Sequence, residues 1–400
     1  MKNNDLENDK KNKGRLLSPS FKKGVVKEKA ETQDEFKVNL LSFDDNNEEQ
    51  QDIPNNPPTK IEELKKNLIK NNEIDEFPKA SSGKLTIYSK VNVFPDGHVK
   101  SVGSCSQAGK GEDGFPKVNQ DSYLVIQNEY KFPDFNIFSV LDGHGEYGHL
   151  ISRFVTKYFA TFLKKNKKMK VLKSEDEVYY RLIKNEYDIL KKVFKHSEKD
   201  LNKGLIDAEF SGTTCVIVFQ IGEKIICANV GDSRAILAKG EKGKNIIPLS
   251  VDQKPNDPEE KKRIEAAGGE IAQYEEDGEK SGPYRVWAKG QPYPGIAMSR
   301  SIGDYVASSL GVISEPIFIE ETIDKDTKFI VIGSDGIWEF LTNKKVVHIV
   351  LPFYEKNDPD GACKALIKEA TEWWNKEDIV VDDITAVVVF FLVNFIYYLK

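Results

Sequence analysis

The 400-residue chain is 39% hydrophobic and 10% aromatic, which is enough to bury one large core or two ordinary ones and too much for a fibrous or wholly disordered protein. Its formal charge of −6, with acids and bases interleaved along the chain, excludes a basic nucleic-acid surface as its main feature. The four cysteines, Cys105, Cys215, Cys227 and Cys363, are scattered and spell no C-x-x-C zinc or redox pair, so reduced thiols are expected.

Residues 1–80 are rich in Asn, Lys, Glu and Asp and poor in apolar side chains, and are expected to form a mostly disordered extension. No apolar run follows Met1, and Lys2 stands where a myristoylation motif needs glycine. Lys60–Ile69 has helical spacing and reads either as a transient, partner-binding helix or as part of a solvated tail. Basic clusters near Lys10–Arg15 and Lys22–Lys29 are short and interrupted, which leaves nuclear entry open beside a cytoplasmic location.

From residue 81 to residue 400 the texture is that of a folded domain. Short apolar strands punctuated by Gly and Asp appear at FNIFSVLDG (Phe135–Gly143), GTTCVIVF (Gly212–Phe219), KIICANVGD (Lys224–Asp232), RAILA (Arg234–Ala238), KFIVIGSDG (Lys328–Gly336) and ITAVVVFF (Ile384–Phe391). Amphipathic helices are expected near His149–Lys164, Glu177–Asn202 and Gly361–Asn375. Strands at hairpin spacing interrupted by helices predict an α+β sandwich with helices flanking its sheets. Asn256–Gly269 reads as a short helix, started by Asp257 and Pro258 and stopped by Gly268 and Gly269. Gly282–Gly295, rich in Gly, Pro and Tyr, reads as a long irregular loop beside an active site. The apolar run Ile384–Leu399 is too short and too β-branched for a spanning helix, so a buried strand and no stable membrane insertion are expected.

Two glycine patterns mislead. Gly109–Gly114 matches G-x-G-x-x-G, but no apolar strand leads into it and no helix follows, so it reads as a flexible loop. Gly103–Lys110 has one residue too many between its glycines for a phosphate-binding loop.

Four aspartates sit at the ends of apolar strands: Asp121 before one, Asp142 after FNIFSVL, Asp335 after KFIVIGS and Asp382 before ITAVVVFF. Strand ends in a sandwich converge on one rim, so these residues can meet. Two like charges about 4 Å apart repel by about 4 kcal/mol at an effective dielectric of about 20, so such a cluster calls for a cation. Hard oxygen ligands without a thiolate or a histidine pair favour magnesium or manganese over zinc. An Asp-Gly pair such as Asp142–Gly143 or Asp335–Gly336 is, taken alone, an ordinary turn; four strand-end aspartates in one chain point to a metal centre.

At these residues the sequence resembles the protein phosphatase 2C family of metal-dependent serine/threonine protein phosphatases. The matching segments, in the family's order, are NQDS (Asn119–Ser122), VLDGHGEYGH (Val140–His149), SGTTCVIVF (Ser211–Phe219), ANVGDSRAIL (Ala228–Leu237), DQKPNDPEEKKRIEAAGG (Asp252–Gly269), AMSRSIGD (Ala297–Asp304), GSDGIWEFL (Gly333–Leu341) and DDITAVVV (Asp382–Val389). The resemblance implies a central antiparallel β-sandwich with helices on both faces, a four-layer αββα fold. It also implies two Mg²⁺ or Mn²⁺ ions held by Asp142, Asp335 and Asp382. Asp142 would bridge them, Gly143 would contribute its carbonyl, and Asp121 would act directly or through water. Asp232, in the GDSR motif, would belong to a third, weaker metal.

Within the same pattern His144 is the candidate general acid for the departing Ser or Thr oxygen, since a histidine keeps a proton available near neutrality. His149, His196 and His348 read as structural. Many family members carry a phosphate-clamping arginine just before the first acidic motif. The matching GFPKVNQD has none, and Lys117 is left as a weaker, monodentate substitute. The expected partners are phosphorylated proteins, with no nucleic acid, a monomeric catalytic domain, and an extension that binds a targeting partner. Two other functional classes fit parts of the sequence, a catalytically feeble phosphoprotein-binding module and a tail-anchored adaptor.

Overall fold

The computed structural model describes residues 97–127, 132, 134–165, 171–204, 206–276 and 278–392. The expected extension 1–80, its Lys60–Ile69 helix and basic clusters, and the end of the apolar run beyond residue 392 lie outside the described residues.

Two five-stranded antiparallel sheets form the frame. The first has the order β1 (Val99–Gln107), β16 (Ile384–Phe391), β15 (Thr327–Gly333), β8 (Arg234–Lys239) and β9 (Asn245–Pro248). The second has the order β14 (Ile317–Thr322), β7 (Lys224–Val230), β6 (Cys215–Ile221), β3 (Phe135–Leu141) and β2 (Ser122–Ile126). The sheets pack face to face through Tyr123, Phe138, Val218, Leu237, Ile332 and Val389, all fully buried. Burying each such side chain contributes roughly 1.5–3 kcal/mol.

Helices cover the outer faces. Alternate residues of the first sheet, among them Phe329, Val331, Val388 and Phe390, turn away from the sandwich and pack under α6 (Asn343–Lys356) and α7 (Pro359–Glu377). That explains ITAVVVFF: a strand covered on both faces alternates between two cores, so every position is apolar. On the second sheet α1 (Gly148–Lys165) packs against β2 and against α2 (Glu175–Asn202), with Phe159 and Phe194 meeting edge to face at 4.9 Å. The four-layer arrangement is the one expected.

Local expectations fared unevenly. The capped helix appears as α3 (Pro258–Ala266), with Gly268 at φ 90 closing it. The expected helix 177–202 is interrupted at Lys184–Tyr187, where Asn185, Glu186 and Tyr187 have φ of 52, 54 and 64. Left-handed residues of this kind cost roughly 1–2 kcal/mol each. Offsetting contacts come from Tyr187, which stacks on Phe318 of β14 at 4.1 Å and donates its hydroxyl proton to Glu320. Helix α6 was not anticipated, because its β-branched run and internal Pro352 mask the helical pattern.

The loop expected at Gly282–Gly295 is corrected. Most of it is regular: β10 (Gly269–Glu276) pairs with β11 (Glu279–Ala288), which pairs with β12 (Pro294–Ile296). Periodic burial was not visible in its composition because most of β11 is exposed or half-buried, leaving Val286 alone fully buried. A further three-stranded sheet, β13 (Ile302–Gly303), β5 (Gly212–Thr213) and β4 (Gly143–His144), lies at one end of the sandwich. Two short helices, α4 (Tyr305–Ser308) and α5 (Asp335–Trp338), follow β13 and β15.

Candidate active site

Register brings the acidic residues to one end of the sandwich. Ser122 pairs with Leu141, so Asp121 and Asp142 lie just beyond the same end of the β2–β3 pair. Gly333 pairs with Ala386 and with Arg234, so Asp335, Asp382, Asp383 and Asp232 all fall beyond one end of the first sheet.

Each carboxylate is held by its own surroundings. Asp121 is 1% exposed and its Oδ2 accepts a hydrogen bond from Ser334 Oγ at 2.8 Å, which ties the second sheet to the first. The Asp142 N–H donates to Thr214 Oγ1 at 2.9 Å, and its carbonyl accepts from the Thr214 amide at 2.8 Å. At Gly143 a Cβ would fall 2.3 Å from the Gly148 carbonyl oxygen and 2.6 Å from that of Gln120, so only glycine fits.

The charges feel one another. Burial, followed by the charge of Asp383, pushes the Asp121 carboxyl up to about 7 against the lowering effect of the Thr385 and Ser334 hydroxyls. Asp142 is raised well above the ordinary carboxylate range by burial and then by Asp335, Asp121 and Asp382. Asp335 is raised likewise by burial, Asp382 and Asp232. Asp121 Oδ1, Asp232 Oδ1 and Asp335 Oδ1 are buried without a hydrogen-bond partner. Among the described residues, no three His, Cys, Asp or Glu side chains close around one point as a finished metal cage. A cation would relieve the crowding of these carboxylates, and the orphaned oxygens supply what a hard divalent ion takes. The donor set therefore fits the magnesium or manganese expected.

Four residues outside the sequence candidates organise the site. His144 Nε2 lies 2.6 Å from Asp304 Oδ2, and Asp304 also accepts from Ser301 Oγ at 2.6 Å. Burial works against the imidazolium, yet Asp304 prevails and holds the His144 pKa above the ordinary histidine value. Asp383, 5% exposed, accepts from the Gly109 amide at 2.7 Å and the Gln120 amide at 2.9 Å. It fixes Gly109 and Gln120, and with them the segment before Asp121. Lys254 Nζ is 2.6 Å from Asp232 Oδ2. Arg234 grips Asp252 through Nε at 2.8 Å and Nη2 at 2.6 Å. No local signal announces the Asp304 or Lys254 contacts, since each partner is remote in sequence.

Lys117 Nζ lies 2.9 Å from Asp382 Oδ1, at the half-exposed edge of the cluster. His149 is half-buried on α1, and its pKa is lowered by burial and then by Arg153. His196 and His348 lie on α2 and α6.

The family model for protein phosphatase 2C matches residues 112–379, which contain Asp121, Asp142, His144, Asp232, Asp304 and Asp335. The chain belongs to the protein phosphatase 2C family. It is 34% identical over 300 residues to the probable protein phosphatase 2C 35 of Arabidopsis thaliana, covering 71% of this chain and 82% of that one. The probable protein phosphatase 2C 48 of Oryza sativa subsp. japonica is 28% identical over 327 residues, with 78% of this chain and 90% of the relative covered. In fold it is similar to the serine-threonine phosphatase 2C from Toxoplasma gondii, with a TM-score of 0.58 at 18% identity over 74% of this chain and 97% of that one. As a protein phosphatase 2C the chain is an enzyme of a metal-dependent family that acts on phosphoproteins. No helix among the described residues is long and apolar enough to cross a membrane.

Proposed function

We propose that this protein phosphatase 2C hydrolyses phosphoserine and phosphothreonine by water attack at a binuclear Mg²⁺ or Mn²⁺ centre. The observation that carries the reading is the gathering of Asp121, Asp142, Asp335 and Asp382 at one rim of the sandwich, with buried unpaired oxygens on Asp121 and Asp335, beside the His144–Asp304 pair. Asp142, Asp335, Asp382 and the Gly143 carbonyl would hold the two ions, with Asp142 between them and Asp121 acting directly or through water. Asp232 would serve a third, weaker position. Bound divalent ions supply Lewis acidity, which lowers the pKa of water and offsets charge on the phosphoryl oxygens.

His144 has the other task. Nε2 is engaged by Asp304, and Nδ1 is buried without a partner, so Nδ1 is the nitrogen available to hand a proton to the departing Ser or Thr oxygen. Lys117 would give the phosphate a single contact once its pair with Asp382 opens, a weaker hold than an arginine fork. The proposal includes a monomeric catalytic domain from residue 81 onward in the cytoplasm, with nuclear entry open. Residues 1–80 would form a targeting extension, a role supported by their polar composition alone.

The test is release of phosphate from a phosphothreonine peptide by the full chain, with EDTA and then with Mn²⁺ or Mg²⁺ restored. His144→Ala should slow the peptide reaction by about a hundredfold and slow p-nitrophenyl phosphate, whose leaving group needs no proton, far less. Metal-independent turnover would refute the centre, and equal losses on both substrates would remove His144 from the acid's role.

A further inference from the structure

Asp232 is 3% exposed, and its two oxygens have different fates. Oδ2 accepts from Lys254 Nζ at 2.6 Å, while Oδ1 is buried without a partner. The neighbouring carboxylate, Asp252, is already gripped on both oxygens by Arg234, so the Lys254 ammonium faces Asp232 as its close partner.

The chain around Lys254 is built to hold it there. The Gln253 side chain accepts from the Gly231 amide at 2.6 Å and donates to the Asn229 carbonyl at 2.9 Å. The Gln253 amide donates to the Gly231 carbonyl at 3.2 Å, and the Ser299 amide donates to the Gln253 carbonyl at 2.9 Å. The Lys254 amide donates to Asp257 Oδ2 at 3.3 Å, and Pro255 restricts Lys254 to extended backbone. Residue 253 is thus stapled to the turn that carries Asp232, and residue 254 is aimed across it. The lysine side chain keeps 34% exposure, so it has solvent to move into.

One ammonium satisfies one oxygen and leaves the other. A divalent ion on the same carboxylate would bring twice the charge to the same place and repel the ammonium, so the two cations exclude each other. We propose that Lys254 is a tethered counter-cation for Asp232 that a divalent ion must displace, and that this competition keeps the metal affinity of the position low. The inference rests on the reading of the Asp142 group as a metal centre; Asp232 lies beyond the same end of the first sheet as Asp335 and Asp382.

Titration of the full chain with Mn²⁺, following the free ion by its paramagnetic resonance signal, ranks the bound ions without any turnover. Lys254→Met should tighten the weakest class by about tenfold or more and leave the tighter classes as they were. Lys254→Arg, which keeps the charge, should leave the weak class weak. Combining Lys254→Met with Asp232→Asn should abolish the class that tightened. Lys254→Gln replaces the methionine variant if thermal melts show that the latter does not fold. An unchanged weak class in the neutral variants, equal tightening in Lys254→Arg, or tightening that survives Asp232→Asn would each overturn the proposal. Failure of the underlying reading shows separately, as Mn²⁺ binding in the tighter classes that is indifferent to Asp142→Asn.

Discussion

His144 and Asp304, 160 positions apart in the chain, meet at 2.6 Å between Nε2 and Oδ2. The contact depends on the small sheet at the rim: His144 pairs with Gly212, and Gly212 pairs with Gly303, which places Asp304 beside the imidazole. Asp304 keeps the His144 pKa raised despite burial, so the imidazolium persists to higher pH. Asp304→Asn should therefore move the alkaline limb of the peptide-hydrolysis profile to lower pH. The limb for p-nitrophenyl phosphate should stay in place. A pH–rate comparison checks this, and an unmoved peptide limb would separate Asp304 from the proton.

Asp142→Asn should lower turnover at saturating Mn²⁺ by at least about a hundredfold, since an amide can neither bridge two dications nor offset their charge. Calorimetric titration should show the tight binding lost together with the activity. Activity within about threefold of the parent chain would end the bridging assignment.

Metal removal should make stability strongly pH-dependent. Asp121 at about 7 and the raised Asp142 and Asp335 hold protons in the folded, metal-free protein that an unfolded chain releases near pH 4. Their stabilising contribution is present at low pH and is lost as pH rises towards and through the folded values. Glu260 runs the other way. Burial would raise its pKa, but Arg300 and Arg263 bring it down to about 2, so its contribution is complete above about pH 5 and lost only in acid. The melting temperature of EDTA-treated protein should thus fall by about 5 °C between about pH 5 and pH 7.5. The Mn²⁺-saturated protein should hold or gain, because its ligands bind deprotonated. Parallel curves would contradict the shared burial of these acids.

Asp383→Ala removes the acceptor of two amides, Gly109 and Gln120, without touching a proposed ligand. Leaving such donors unpaired costs about 1–3 kcal/mol, and the segment carrying Asp121 loses its anchor. The variant should melt several degrees lower and bind Mn²⁺ about tenfold more weakly, while Asp383→Asn, which keeps one acceptor, should lie between. Full metal affinity in the alanine variant would show that Asp121 is positioned from elsewhere.

The sequence by itself determined which residues lie at strand ends. A strand covered on both faces must be apolar throughout, so FNIFSVL, KFIVIGS and ITAVVVFF mark their own limits, and Asp142, Asp335 and Asp382 stand out as charges at those limits. It also determined the family, through motifs long enough to be specific. The irregular appearance of Gly282–Ala288 hid a strand because a mostly uncovered hairpin shows little periodic burial. Only the tertiary structure decided which acid serves which partner. Asp304 against His144, Lys254 against Asp232, and Asp383 under Gly109 and Gln120 are contacts made by sheet register and loop stapling. A pairing between residues remote in sequence leaves no local trace, because each partner is chosen by the position of the other's strand and not by its own neighbours.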